Sequence, residues 1–339
     1  MGTTFDVTVY RPSTESASAD VDLESAFDVV RKIDQLMSLY RDDSELTALN
    51  KGAGGGETKI SAPLADILQA SVFYTRLSDG AFDVTVQPLV DLWGFYRVAN
   101  AAIPPEGEIK KTLETVGMDH LSLDKSARTA TLDAGAKIDL GAIAKGYAID
   151  RVIAVLRERS VPAALVNLGG TVRVLGKAPG HRPWIIGIRH PRENRLIGEV
   201  RLERGAISTS GDYDRYFEAD GQRYSHIIDP RSGQPVQGVY AMTVLAPNAT
   251  TADALSTAAF VADGLDLLVE CRNVSGLKIE PQNSGDQGTS PDTLLFTVTS
   301  EPDFPVRAPF TSYEHPSVHP LISTIDHSAY RDCVWQIDH

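Results

Sequence analysis

Two oxygen-bearing side chains, Asp253 and Thr257, stand four residues apart in the segment "NATTADALSTAAFV" (248–261). This spacing places them on one face of a helix, because an α-helix has about 3.6 residues per turn. A carboxylate and a hydroxyl stacked in this way could hold a hard cation. A structural interpretation is also open, because Thr250 and Asp253 have the spacing of a capping box with Thr250 as the N-cap. Spacing alone does not decide between a metal site and a helix cap.

The elements that must position these residues can be read from the hydrophobic pattern. Residues 4–10 alternate apolar and polar and predict a strand, whereas 21–40 and about 62–78 have helical spacing. The segment 136–159 predicts a short strand joined through Gly141 to a long helix. Later segments such as "AALVNLG", "TVRVLG", "WIIGIRHP" and "YAMTVLA" are short and separated by polar turns. They favour antiparallel sheets over repeated βαβ units.

Composition narrows the function classes. The chain has 339 residues, 42% hydrophobic and 23% charged, which is typical of a globular protein. A formal charge of −13 argues against nucleic acid as the main partner, and an anionic small molecule would need a local cation. No stretch reaches the roughly 18–20 apolar residues of a membrane span. The sequence contains neither G-x-G-x-x-G nor G-x-x-x-x-G-K-[ST], so the ordinary dinucleotide and nucleoside triphosphate fingerprints are missing.

Five blocks, in this order, resemble the ApbE family of FAD:protein FMN transferases. They are "MGTTFDVTV" at the start, "MSLYRDDSELTALN" (37–50), "GAFDVTVQPLVDLWGF" (80–95), "IDLGAIAKGYAID" (138–150), and the pair "SHIIDPRSGQPV" with "TTADALSTAAFV". The blocks cover roughly residues 1–270. Gln87 departs from the glycine common at that position. The resemblance implies an α+β, ApbE-like (T-fold-like) fold of antiparallel β-sheets with packed helices, a two-lobed single unit with flavin in the cleft.

The same resemblance implies a Mg²⁺ site and a phosphate contact. Asp253 and Thr257 would be the side-chain ligands, joined by the backbone carbonyl of Ala142, and Mg²⁺ suits such oxygen ligands. Asp139 would contact the flavin and Lys145 the phosphate. Lys145 would therefore act in both catalysis and cofactor binding, supplying the positive charge that an acidic chain otherwise lacks.

His226 is implied as the base that takes a proton from the attacking threonine hydroxyl, the usual work of an imidazole near neutral pH. The alternative is a strand histidine satisfied by a neighbour. Further matches place side chains around FAD, although Tyr40 and Phe82 are also apolar enough to be ordinary core residues. Asn167, Gly169 and Gly170 fit a tight turn near the cofactor. The implied FAD-binding set is Met1, Tyr40, Ala81, Phe82, Asp83, Asp139, Lys145, Ile227 and Ser256.

The implied reaction transfers FMN from FAD to a threonine hydroxyl of an acceptor flavoprotein of respiratory or redox type, releases AMP and depends on Mg²⁺. Two alternatives stay open. In one, water replaces threonine and the protein is a Mg²⁺-dependent FAD pyrophosphatase. In the other, the protein binds flavin without catalysis, although storage would require neither a metal nor a base.

Residues 1–285 are predicted to form the ApbE-like domain, and 286–339 a partly disordered C-terminal extension with a strand near 294–298. His315 and His319 have H-x-x-x-H spacing, but Pro316 between them favours a disordered tail over a zinc site. No leader is recognisable, so the chain as written is expected in the cytoplasm, or outside it if a leader was trimmed.

Overall fold

The computed structural model describes residues 2–12, 14, 16–96, 101–269, 271, 273–281, 294–299 and 321–322. Within them the helices are α1 (Ser16–Met37), α2 (Glu45–Lys51), α3 (Ala62–Leu77), α4 (Gln87–Leu92), α5 (Glu106–Leu113), α6 (Ala144–Glu158), α7 (Ala249–Val261) and α8 (Asp266–Val269). The strands are β1 (Phe5–Tyr10), β2 (Thr58–Lys59), β3 (Leu121–Asp124), β4 (Thr129–Leu132), β5 (Ala163–Leu168), β6 (Thr171–Leu175), β7 (Trp184–Arg189), β8 (Leu196–Leu202), β9 (Gly205–Gly211), β10 (Tyr216–Ala219), β11 (Gln222–Ser225), β12 (Ile228–Asp229), β13 (Gln234–Pro235), β14 (Ala241–Ala246), β15 (Ser275–Pro281), β16 (Leu294–Thr299) and β17 (Leu321–Ile322).

The main sheet has the strand order β1-β5-β6-β9-β14-β15-β16-β17. Adjacent strands in this sheet run antiparallel except for the last pair, β16 and β17, which is parallel. Smaller sheets are formed by β2-β4-β3 and by the hairpins β7-β8, β10-β11 and β12-β13. The mixed fold of antiparallel sheets and packed helices confirms the predicted class.

Helices α1, α6 and α7 form a layer on one face of the main sheet. α7 packs against β9 and β14, α6 packs against α7, and α1 packs against α6. All residues of α7 except Thr257 are buried. An apolar helix of this kind is stable only in a core, so α7 is fixed from all sides and carries its one carboxylate, Asp253, into the protein interior.

The β7-β8 hairpin covers the opposite face of the sheet. Trp184 and Leu202 from the hairpin pack with Leu245 and Leu277 from the sheet in a second hydrophobic cluster. A third cluster, around Trp93, joins α4 and α5 to the small strands near His226. The site described below lies between these layers.

The predicted helices at 21–40 and 62–78 correspond to α1 and α3, and α1 begins earlier, at Ser16. The predicted short strand before Gly141 is wrong. Residues 136–140 contribute only an isolated bridge from Lys137 to Val86. The Ile138 amide donates to the Asn50 side chain and the Asp139 amide to the Val84 carbonyl, so these backbone groups bond to a loop and a side chain in place of a strand ladder.

The predicted strand near 294–298 is confirmed as β16, which pairs with β15. It lies beyond residue 285, where the two predicted parts of the chain meet. The remaining calls on 286–339, including partial disorder and the His315–His319 pair, lie outside the described residues. Along the described part of the chain, no helix is both long and apolar enough to span a bilayer.

Candidate functional site

A cavity of about 690 Å³ opens where β9 continues past β6. β6 pairs with β9 along Gly205–Ile207, and Thr209–Gly211, further along β9, line the cavity. The other walls come from β7, the turn before α6, α7, and the loops that follow α1 and α3. Most of the predicted site residues share this cavity: Tyr40, Ala81, Phe82, Asp83, Asp139, Ala142, Lys145, His226, Ile227, Asp253 and Thr257.

Asp253 is 2% exposed, and both oxygens of its carboxylate have hydrogen-bond partners. Its Oδ2 accepts from the Gly146 amide at 2.9 Å, and its Oδ1 accepts from Thr171 Oγ1 at 3.2 Å and from Ser208 Oγ at 3.3 Å. The Lys145 ammonium lies 3.0 Å from the same Oδ1. A buried carboxylate needs such compensation. Asp253 also lines the cavity, so its negative charge faces the cavity interior.

The capping alternative for Asp253 is wrong. The N-cap of α7 is Asn248, whose side chain accepts from the Thr251 amide at 2.8 Å. Thr250 donates its hydroxyl to Asp150 at 2.6 Å, and Asp150 also accepts from the amides of Ala249 and Thr250. With Asp150 and Asn248 satisfying the helix start, Asp253 is available for a different role.

The residues present fit a hard cation. Thr257, one turn after Asp253, lines the cavity, and its hydroxyl lies 3.1 Å from that of Ser210. Lys145 already places a cation there, because its ammonium donates to the Gly141 carbonyl at 2.6 Å and lies 3.0 Å from the Asp253 carboxylate. Carboxylate, hydroxyl and carbonyl oxygens are the donors that Mg²⁺ prefers. No three His, Cys, Asp or Glu side chains of the described ranges cluster as a metal site, so the donor set is one carboxylate with neutral oxygens.

The turn before α6 is held by Asp139. Its Oδ1 accepts from the Gly141 amide at 2.7 Å, and its Oδ2 accepts from the Tyr96 hydroxyl. Burial, and then the charge of Asp139, raise the pKa of Tyr96, so its hydroxyl remains a donor. The Asn50 side chain clamps both the amide and the carbonyl of Ile138 and donates to Gln87 at 2.7 Å. Gln87, the departure from the family pattern, therefore supports this turn.

His226 follows β11 and combines both predicted interpretations. Its backbone amide and its Nδ1 approach the Arg215 carbonyl at 2.9 Å and 3.2 Å, so this edge of the ring is satisfied by a neighbour. The ring nevertheless lines the cavity. Burial, then the positive charge of Arg215, lowers the pKa of His226 to about 4, so the imidazole is neutral at pH 7.

The predicted flavin contacts differ in exposure. Tyr40 is 53% exposed, which contradicts the core alternative for this residue, whereas Phe82 is 1% exposed and also packs edge-on against Tyr74 in the core. The Asp83 carboxylate accepts from the amide and hydroxyl of Thr85 at 2.8 and 2.6 Å. Burial raises the pKa of Asp83 despite these bonds.

The predicted turn at Asn167 also reaches the cavity. Asn167 Oδ1 accepts from the Gly170 amide at 3.1 Å, and Gly169 and Gly170 both have positive φ and line the wall. A Cβ on Gly169 would lie 2.7 Å from the Thr3 hydroxyl, so only glycine fits beside the first strand.

One predicted contact, Ser256, does not line the cavity. Ser256 is fully buried behind the wall, where its hydroxyl donates to the Asp253 carbonyl at 2.9 Å and lies 2.9 Å from Ser210 Oγ. Met1 lies outside the described residues. Sequence reasoning also missed a group of supporting residues that no spacing or motif connects to Asp253 or His226: Tyr96, Asp150, Thr171, Ser208, Ser210 and Arg215.

Comparison with known proteins matches the sequence and the fold to one family. The sequence matches the ApbE family over residues 1–276. It is 34% identical over 288 residues to an FAD:protein FMN transferase of Haemophilus influenzae, covering 82% of this chain and 83% of that protein. The fold is similar to that of the ApbE protein from Thermotoga maritima, with a TM-score of 0.75, 34% identity and coverage of 82% of this chain and 91% of the other. The apo flavinyl transferase ApbE of Pseudomonas stutzeri gives a TM-score of 0.75 at 31% identity, covering 88% of this chain and 92% of the other.

Proposed function

The chain belongs to the ApbE family, and we propose that it transfers the FMN half of FAD to a threonine hydroxyl of an acceptor flavoprotein in a Mg²⁺-dependent reaction that releases AMP. It is a transferase, as its relatives are named. The observation that carries the finer proposal is the convergence of Asp253, Lys145 and His226 in one cavity.

The reaction exchanges the phosphoanhydride bond of FAD for a phosphoester bond. A bond forms between the threonine oxygen and the phosphorus of the FMN half, and the bond from that phosphorus to the bridging oxygen breaks, so AMP leaves. The threonine proton passes to Nε2 of His226, because Nδ1 faces the Arg215 carbonyl, which can only accept a hydrogen bond. A neutral imidazole next to a weak nucleophile is the arrangement that general-base catalysis requires.

The negative charge of the FAD pyrophosphate requires nearby cations, whereas the chain as a whole has a net negative charge. Asp253, Thr257 and the Ala142 carbonyl would hold Mg²⁺, which when bound neutralises phosphate oxygens. Lys145 lines the same cavity, 3.0 Å from Asp253, and its ammonium would contact phosphate there. Tyr40, Phe82 and Asp83 would border the flavin.

Paired variants test the roles of Asp253 and His226 in FMN transfer. Asp253→Ala should lower activity by orders of magnitude, with partial recovery at high Mg²⁺, because the lost quantity is cation binding. His226→Asn should lower activity by about 10²–10⁴-fold, the usual contribution of a general base, and should not respond to added Mg²⁺.

Two matched controls accompany them. Asp42→Ala removes an exposed carboxylate. His181→Asn removes an exposed imidazole, and asparagine tolerates the positive φ of this residue. Both should transfer FMN normally. If His226→Asn instead weakens FAD binding strongly but transfers normally at saturating FAD, the imidazole is a cofactor contact and not the base.

A further inference from the structure

Arg215, in the segment between β9 and β10, touches both sides of the cavity. Its guanidinium donates through Nη1 to the Tyr40 hydroxyl, and its Cζ lies 5.6 Å from the centre of the Tyr40 ring. Its backbone carbonyl faces the His226 amide at 2.9 Å and the His226 Nδ1 at 3.2 Å. One residue thus connects the predicted flavin wall to the imidazole.

The charge on this guanidinium is not offset by a close ion pair. Among the described residues, no carboxylate lies within 4.0 Å of it, and its hydrogen-bond partner is a neutral phenol. Lys145, the other cation that faces His226, lies 3.0 Å from Asp253. The electrostatic effect of Lys145 on the ring is therefore reduced by a carboxylate in direct contact, whereas Arg215 interacts with the Asp214 carboxylate only over a longer distance.

We propose that Arg215 is the positioning residue of His226: its carbonyl fixes the tautomer that leaves Nε2 unprotonated, and its guanidinium, docked on Tyr40, keeps the ring neutral. This inference rests on the proposed function in taking His226 as the base. Arg215 acts through the histidine and is not itself assigned a bond to the reacting atoms.

Two physical effects connect Arg215 to His226. A carbonyl oxygen can only accept, so Nδ1 must carry the proton and Nε2 keeps its lone pair toward the cavity. A nearby positive charge disfavours the imidazolium, and Arg215 is the largest charged contributor to the lowered pKa of His226, after burial itself. Asp214 in the same segment carries the opposite charge and also faces the cavity, as do Asp139 and Asp83 further along the wall.

Tyr40 holds the guanidinium where it is effective. The phenol is 53% exposed and belongs to the loop after α1, so without the hydrogen bond an arginine side chain could swing into water. The start of the chain flanks the pair, since a Cβ on Gly2 would lie 3.5 Å from the Tyr40 ring and 3.8 Å from Arg215 Nη2. Loss of the Tyr40 hydroxyl should therefore weaken the influence of Arg215 on His226 without removing it.

The test is an NMR titration of the His226 ring in the full chain without FAD, with the signal assigned by its loss in His226→Gln. In the unsubstituted protein the ring should titrate near pH 4 and carry its neutral-form proton on Nδ1. Arg215→Met keeps the length of the side chain and removes its charge, so the pKa should rise by about one unit. Arg215→Lys should restore most of the lowering of the pKa. The pKa in Tyr40→Phe should lie between that of the unsubstituted protein and that of Arg215→Met.

Arg204→Met, which removes an exposed arginine away from the cavity, should leave the titration unchanged. The proposal is overturned if Arg215→Met titrates like the unsubstituted protein, if Arg215→Lys behaves like Arg215→Met, or if the neutral ring carries its proton on Nε2. If Arg215→Met does not fold, Arg215→Lys and Tyr40→Phe still decide. Because the titration uses no acceptor and no FAD, failure of FMN transfer would leave its result intact.

Discussion

The contact between α6 and α7 makes Gly146 the most sensitive backbone position of the site. A Cβ at this residue would lie 2.2 Å from the Ala249 carbonyl oxygen and 2.8 Å from Thr250 Cα. Both are backbone atoms of α7, which is buried on all sides, so neither can move aside alone. The Gly146 amide also donates to Asp253. Gly146→Ala should therefore push the two helices apart at the point where the proposed metal ligand is held.

The expected loss in the free energy of unfolding is the sum of three contributions. Overpacking costs about 1–3 kcal/mol, and losing a hydrogen bond to a charged carboxylate costs about 1.5–3 kcal/mol. The higher helix propensity of alanine returns about 1 kcal/mol. We expect Gly146→Ala to lower the free energy of unfolding by about 3 kcal/mol, and the midpoint of thermal unfolding by roughly 8 °C.

The assay is thermal and urea unfolding followed by circular dichroism, with Gly107→Ala as the matched control. Gly107 also lies in a helix, α5, but a Cβ there would have nothing within 4 Å. The control should be neutral or slightly stabilising. Equal stability of the two variants would refute the close crossing of α6 and α7.

Three further outcomes are expected. Because the pKa of His226 is lowered to about 4, the neutral base persists through pH 6.5, and kcat/KM should fall only as pH drops through about 4. An acid limb at pH 6.5 would contradict the lowered pKa of His226. Asp150→Ala should destabilise the protein by about 3 kcal/mol in urea unfolding, because the start of α7 loses its acceptor and Arg173 loses its buried partner. A change below about 1 kcal/mol would show that Asn248 caps the helix unaided. Isothermal titration should show much tighter binding of FAD than of FMN, because the adenylate half is the leaving group that a transferase must recognise, and equal affinities would favour a general flavin carrier.

Local patterns predicted the elements well. The apolar spacing that defines α1 and α3 reflects a single buried face, and the alternation in β1 reflects a strand with one face toward the core. Asp253 and Thr257 were recognisable because their relation is confined to one helical turn. The five ordered blocks added Lys145 and His226, which no spacing connects to that helix.

The predictions that were wrong or missing have a common cause, which is contacts between residues far apart in the chain. Thr250 was assigned as a possible cap from its neighbours, but its hydroxyl bonds to Asp150, one hundred positions earlier in the chain. The segment before Gly141 has the composition of a strand, yet its backbone bonds to Asn50. Arg215 contacts His226 through its backbone carbonyl and Tyr40 through its guanidinium, and no local sequence pattern indicates either contact.

The central claim is that FMN passes to a protein hydroxyl and not to water. The most direct measurement incubates the purified chain with FAD, Mg²⁺ and a candidate acceptor flavoprotein, and quantifies AMP together with the intact mass of the acceptor. We predict that each AMP released accompanies one acceptor that has gained the mass of FMN less one water, on a threonine located by peptide mapping and lost in the Thr→Ala acceptor. Release of AMP with an equal amount of unattached FMN, and an unchanged acceptor, would contradict the account and identify a pyrophosphatase.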